Sequence, residues 1–221
     1  MKPEEADRLI ALLSTRVSPA SISGCAVSAT VAPVFPEEEA LAVSMAASRA
    51  REFLSGRAAA AKALELAGAP KGPVLRGESG EPIWPGAFCG SISHGAGIAL
   101  AVAAPVTVFR SVGIDVETTG RLRRKLWKKV FTSAEAAALA LEPCPGIVAT
   151  AAFSAKEAVY KACHFASGRG PEMKAVSVAF AQDGAFEAVV DDAAAFSAPA
   201  RINGFFLVAG AATVAFVAFP A

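Results

Sequence analysis

The sequence predicts an α+β fold made of two similar units, and three observations carry that reading. Apolar runs of β type occur in both halves, over 98–114 and again from 175 onward. A long helical pattern precedes each set, over 37–66 in the first half and from about Pro145 in the second. Each long helix carries basic residues, Arg57 and Lys62 in one, Lys156 and Lys161 in the other. The echo suits a duplicated helix-and-sheet unit, with the chain dividing into 1–110 and 111–221.

The elements follow in order. Met1 to Arg16 carries Glu4, Glu5, Asp7 and Arg8 where a secretory leader would be basic and then apolar, so it reads as an amphipathic surface helix. Residues 18–35 alternate weakly through Ile22, Cys25, Val27, Ala29 and Val31 and suggest a strand. From Glu37 to Leu66 acids come first and small and apolar residues follow, until Gly68 and Pro70 stop the helix. Arg49, Phe53 and Arg57 recur there at four-residue spacing, so the two arginines share a face, which is ordinarily a solvated one. Gly and Pro punctuate Pro73 to Pro85, an ordered loop with short strands. Gly90-Ser91-Ile92-Ser93-His94 reads as a loop entering the strand Ile98 to Ala103, and a second strand over 106–114 runs up to Asp115.

Six basic residues stand within Arg121 to Lys129, a solvated helix face or a nucleic-acid patch. Thr132 with Glu135 forms a capping box for a helix from Ala134 to Leu141. The next helix runs to about Ala166, before Gly168. Strands follow at 175–180, 186–190, 205–208 and 213–219. Gly204 to Ala221 has the length of a membrane span, but its β-type runs are separated by Ala209-Gly210-Ala211-Ala212-Thr213 and no basic flank follows. A buried hairpin is the reading.

Charged residues are 19% and hydrophobic ones 54%, so the chain is globular, and a net charge of +1 gives no global field for nucleic acid or membrane. Cys25, Cys89, Cys144 and Cys163 lie far apart with only His94 and His164 as companions, which argues against a zinc site. Scattered thiols of this kind fit a reducing cytoplasm.

Two stretches carry chemistry. In Val112-Gly113-Ile114-Asp115-Val116-Glu117, an extended chain points Asp115 and Glu117 to one face. Paired carboxylates suit a hard cation such as Mg²⁺, and a strand end with two solvated acids is the plainer alternative. The second stretch is Phe153-Ser154-Ala155-Lys156-Glu157-Ala158-Val159-Tyr160-Lys161. On a helix, Glu157 and Lys161 lie one turn apart with Lys156 beside them, as a metal-bound diphosphate would require. Ser154 and Glu157 could instead form a capping box, but the apolar run from Ile147 to Phe153 lets the helix begin earlier and leaves Ser154 interior.

Together these stretches resemble the two signature motifs of the 4′-phosphopantetheinyl transferases of the surfactin-synthetase and enterobactin-synthetase component D type. Arg49, Arg57, the run Arg76-Gly77-x-x-Gly80-x-Pro82-x-Trp84-Pro85 and Gly90-Ser91-x-Ser93-His94 look like that family's coenzyme A-binding elements, and they stand in order. The resemblance implies two α+β lobes related by a pseudo-twofold, with the active site in the cleft between them. It implies that Arg49, Arg57, Arg76, Ser93 and His94 bind coenzyme A, and that Asp115, Glu117 and Glu157 ligate Mg²⁺ or Mn²⁺. Lys156, Glu157 and Lys161 would be catalytic, the two lysines neutralising phosphate charge. The reaction implied moves phosphopantetheine onto a serine of an apo acyl or peptidyl carrier protein. The basic run Arg121 to Lys129 is a candidate docking face for an acidic carrier, and the expected location and state are the cytoplasm and a monomer. Phe153-Ser154-Ala155 stands where surfactin-type members carry a tryptophan, which places the chain nearer the siderophore and lipid branch. Two rival readings remain, an Mg²⁺-dependent phosphohydrolase using the same acids and a nucleic-acid-binding module using Arg121 to Lys129. The latter has only Trp127 as an interleaved aromatic.

Overall fold

Ala6, Leu9, Leu13 and Val17 form an i, i+3, i+4 stripe that buries one side of helix α1 (Pro3–Val17) against strand β1 (Ser21–Ala26). This is the beginning of a computed structural model that describes residues 1–27 and 32–221. The strand expected over 18–35 is realised as β1, and its continuation through Ala29 and Val31 lies outside the described residues. By contact density the chain separates into two units, Met1–Arg110 with Pro220–Ala221, and Ser111–Phe219.

In the first unit the single helix expected over 37–66 is two, α2 (Pro36–Ala42) and α3 (Ala47–Leu66). The break at 43–46 contains neither Gly nor Pro; the chain turns extended at Ala46, and Val43 points into solvent. Strands β2 (Leu75–Arg76) and β3 (Pro82–Ile83) pair as a short ribbon, as the punctuated loop suggested. The segment read as a loop at 90–94 belongs instead to β4 (Phe88–Gly95), which pairs along its length with β5 (Ile98–Pro105). Ala96 and Gly97 both take positive φ in the two-residue turn between them, the geometry that matches strand twist. The sheet order is β1-β5-β4, antiparallel, with α3 lying on it. Helix and sheet touch closely at Gly56, where a Cβ would stand 2.9 Å from Ile92 Cγ2.

The second unit repeats the plan on a larger scale. Strand β6 (Phe109–Thr118) leads into helices α4 (Arg124–Val130), α5 (Ser133–Ala140) and α6 (Pro145–Ser167). Four strands follow: β7 (Val176–Phe180), β8 (Ala185–Val190), β9 (Ile202–Ala209) and β10 (Ala212–Pro220). They form a sheet ordered β6-β10-β9-β8-β7, and the apolar C-terminal run is the β9–β10 hairpin. Among the described residues no helix is long and apolar enough to cross a membrane. The expected capping box is present: Thr132 Oγ1 accepts from Glu135 N at 3.2 Å, and Glu135 Oε2 accepts from Thr132 N at 2.8 Å. Helix α6 does begin at Pro145, leaves Ser154 interior and ends at Gly168, whose φ of +76° closes it. Its Ala155, Val159 and Ala162 pack with Val176, Ala188, Ala215 and Val217 of the sheet.

One contact fixes how β6 meets α6. Ser111 Oγ donates to Ala162 O at 2.6 Å, and Ser154 Oγ donates to Asp115 O at 3.3 Å. Between them, a Cβ added to Gly113 would stand 1.9 Å from Ala158 O. Strand and helix run antiparallel with their backbones touching at that glycine. Two strand residues advance about 6.7 Å and four helix residues about 6 Å, so alternate β6 residues stay level with successive turns of α6. Gly113→Ala is therefore expected to destabilise the protein by at least about 2 kcal/mol in urea denaturation. Wild-type stability in that variant would contradict the backbone contact.

Candidate functional site

In the first unit a cavity of about 360 Å³ is lined by Arg49, Glu52, Phe53 and Arg57 of α3, Arg76 and Pro82 of the ribbon, and Ile92 and His94 of β4. Of the seven residues expected to meet coenzyme A, counting Lys156 and Lys161, the first unit holds five, and four of those share one cavity. The fifth, Ser93, is buried and not part of its wall, because successive strand residues project from opposite faces and His94 and Ile92 take the cavity side. The guanidinium of Arg49 contacts His94 Nε2, and Arg49 Nη1 pairs with Glu52 Oε2 at 3.3 Å. Arg57 is only 5% exposed and lies over the Phe53 ring at 4.4 Å, with Nη2 donating to Leu75 O at 3.3 Å and its buried Nε lacking a hydrogen-bond partner. Burial pushes the Arg57 guanidinium down to about 10, Glu38 works against that, and Arg49 and Arg76 add to it. Cations crowded into one pocket with an unused buried donor suit an anion.

In the second unit the β6–α6 register gathers Asp115, Glu117, Glu157 and Lys161. Asp115 is 4% exposed, and Lys161 Nζ donates to its Oδ1 at 2.7 Å and to Ile114 O at 3.1 Å. Burial and then the Asp115 charge raise Glu117 to about 7, with Lys161 opposing and Glu157 adding to the rise. Glu157 is raised by burial and by Asp115, again opposed by Lys161. The three acids are near enough to disfavour one another's charge. Among the described residues no group of three or more His, Cys, Asp or Glu is arranged to hold a metal ion, and the ammonium of Lys161 serves Asp115 instead. The donor set still fits Mg²⁺ chemically: it is all oxygen, anionic and mutually repelling.

Lys156 stands apart from this group. It is not brought to the carboxylates but is 0% exposed, with Nζ donating to Glu135 Oε2 at 3.0 Å, Val130 O at 3.2 Å and Met173 O at 3.0 Å. The Phe131 ring lies 5.1 Å away. Burial lowers its ammonium below the ordinary lysine value, and Glu135 opposes that. All three protons are used, tying α4, α5 and the turn at Met173 to α6.

Two family models divide the chain between them, one described as the 4′-phosphopantetheinyl transferase N-terminal domain over residues 37–104, the other as the 4′-phosphopantetheinyl transferase superfamily over residues 111–209. The chain belongs to the 4′-phosphopantetheinyl transferase superfamily. It is 38% identical to 4′-phosphopantetheinyl transferase PptT of Mycobacterium tuberculosis over 133 residues, 58% of this chain and 56% of that one. Svp of Streptomyces mobaraensis, also a 4′-phosphopantetheinyl transferase, is 35% identical over 62% of this chain and 57% of its own. Enterobactin synthase component D of Salmonella typhi is 39% identical over 52% of this chain and 48% of its own. The chain spans about half the length of these relatives.

Reading the sequence missed Glu52, Phe53 and Glu135 as partners in this superfamily member. Glu52 stands at i+3 from Arg49, so helical spacing could have found it, while the four-residue recurrence of Phe53 and Arg57 gave their shared face but not the stacking of guanidinium on ring.

Two measurements check these assignments. Lys156→Met and Glu135→Gln are each expected to destabilise the unliganded protein, Lys156→Met by about 3 kcal/mol or more, with Lys156→Met/Glu135→Leu costing less than the sum of its single variants. Lys156 serving only bound phosphate would leave urea denaturation of the empty protein unchanged. Glu117, raised from 4.5 to about 7, adds stability that is complete below the lower value and is lost as pH rises through the higher one. In the presence of a chelator, the melting temperature of the wild type should fall relative to Glu117→Gln as pH rises through about 7. Parallel curves would show that the carboxyl is not raised.

Proposed function

We propose that the chain transfers the 4′-phosphopantetheine group of coenzyme A to a serine hydroxyl of an apo acyl or peptidyl carrier protein. The observation that carries this reading is the convergence of Arg49, Arg57, Arg76 and His94 on one cavity in a member of this superfamily. A phosphohydrolase of a simple nucleotide has no need of so many cations away from its acids, and the superfamily assignment does not favour a nucleic-acid module.

The serine oxygen attacks the β-phosphate; its P–O bond forms as the bond to adenosine 3′,5′-bisphosphate breaks, and the product is a phosphodiester. Arg49, Arg57, Arg76 and His94 hold the nucleotide phosphates, since guanidinium forks match phosphate oxygens. Asp115, Glu117 and Glu157 would hold Mg²⁺, or Mn²⁺ in its place. When bound, the ion supplies Lewis-acid charge and a template for the diphosphate. Lys161 offsets negative charge on the departing bisphosphate. The serine proton passes to Glu157 or to a water beside it; a carboxylate that also holds the ion is a weak base, so for Glu157 the ligand role ranks first. Most of the acceleration is positioning and electrostatics. Lys156 supports this by holding α6 in place. Siderophore assembly, as the name enterobactin synthase component D suggests, is one pathway class such a carrier would serve.

Incubating the protein with coenzyme A, Mg²⁺ and an apo carrier, then weighing the carrier, tests the reading. One phosphopantetheine should be gained, and none with Asp115→Ala or Glu157→Ala; an unmodified carrier across acyl and peptidyl types would overturn it.

Two predictions follow from the assigned roles. Alanine at Arg49, Arg57, Arg76 or His94 should erode the preference for coenzyme A over its 3′-dephospho form, by about 1.5–3 kcal/mol for each charge-assisted hydrogen bond lost. Unchanged KM ratios in all four variants would place the 3′-phosphate elsewhere. The second concerns the carrier. Arg121, Arg123, Arg124, Lys125, Lys128 and Lys129 are all exposed, while α4 buries Trp127 and Val130 beneath them. Carrier proteins are typically acidic around the modified serine, so this face should speed encounter. Combining Arg123→Glu, Arg124→Glu and Lys128→Glu should raise KM for the carrier several-fold and flatten its salt dependence, with coenzyme A affinity unchanged. A KM that stays the same at low and high salt would make this an ordinary solvated face.

A further inference from the structure

Glu38 is the one carboxylate of α2 that the fold buries completely, at 0% exposure, and nothing in the motif reading gave it a task. Its Oε1 accepts from Val74 N at 2.9 Å, and its Oε2 is buried without a hydrogen-bond partner. A buried carboxylate in this condition is costly, so what it secures should be worth that cost. The residue after Val74 is Leu75, whose carbonyl is held by Arg57 Nη2, and the next is Arg76, which lines the cavity. Two buried charged side chains of opposite sign thus grip adjacent residues of one segment, the carboxylate on an N–H and the guanidinium on a C=O. That segment leads directly into the ribbon whose Arg76 enters the anion cavity.

We propose that Glu38 is a positioning residue of that cavity: by holding the Val74 N–H, opposite the grip of Arg57 on Leu75, it places Arg76 for binding a phosphate of the nucleotide. The inference rests on the reading of the cavity as the nucleotide-phosphate site. Charge balance supports it, because at Arg57 the Glu38 charge opposes the repulsion from Arg49 and Arg76. Reach is the specific requirement. An aspartate keeps the charge but ends one methylene short of Val74, whereas a glutamine keeps the acceptor and loses the charge.

The test is calorimetric binding of adenosine 3′,5′-bisphosphate to the full chain, with thermal melting recorded for every variant. Glu38→Asp and Glu38→Leu should bind about tenfold more weakly, the worth of one charge-assisted hydrogen bond, and Glu38→Gln should recover most of the loss. In an Arg76→Ala background Glu38→Asp should add nothing further, since its effect acts through Arg76. A merely structural role would lower the melting temperature while leaving affinity and this non-additivity unaffected. Should Glu38→Leu fail to fold, the contrast between Asp and Gln decides alone. Wild-type affinity in Glu38→Asp, or a full additional loss on top of Arg76→Ala, overturns the proposal while Arg57→Ala still weakens binding. Unaltered binding in Arg49→Ala and Arg57→Ala as well would show instead that the phosphate reading itself fails, and the proposal with it.

Discussion

The backbone contact between Gly113 and Ala158 is the constraint on which the second unit depends. Strand β6 can lie directly on α6 only because no side chain stands between them, and Ser111 and Ser154 close hydrogen bonds on either side. Alternate strand residues then track successive helix turns. Asp115, near the end of the strand, comes level with Ser154, where the Lys161 side chain reaches it and the Glu157 charge is felt by both Asp115 and Glu117. The glycine ahead of the two acids is therefore part of the chemistry, although it carries none.

The two units handle charge in opposite ways. The second crowds carboxylates, which raises Glu117 and Glu157 and engages Lys161 on Asp115. The first crowds guanidinium groups, which pushes Arg57 down and draws in Glu52 and Glu38 as counter-charges. Each arrangement costs stability in the empty protein, and each would be relieved by the complementary charge, a hard cation in one and phosphate in the other. Sites of this kind are where folded proteins hold perturbed ionisation.

Much of this was legible in the sequence. The parity of Asp115 and Glu117, the extent of α6, the capping box at Thr132 and the C-terminal hairpin all follow from period and punctuation. What was hidden had physical reasons. Lys156 lies four residues after Ala152 and three before Val159, both buried, so it sits on the apolar stripe of α6; its partner Glu135 is supplied by a different helix. The stretch around Ser93 reads as loop because its Gly and Ser residues hide the alternation that a strand imposes. The break between α2 and α3 has no helix-breaking residue, and Glu38 looked like one more acid in a first turn. Its burial is decided by Val74, thirty-six residues away.

The claim that the β6–α6 register assembles a cation site is tested most directly by titrating Mn²⁺ into the protein and following free ion by electron paramagnetic resonance. One saturable site is predicted in the wild type, and its loss in both Asp115→Asn and Glu157→Gln. A wild type without saturable binding, or either variant retaining the site, would contradict the account.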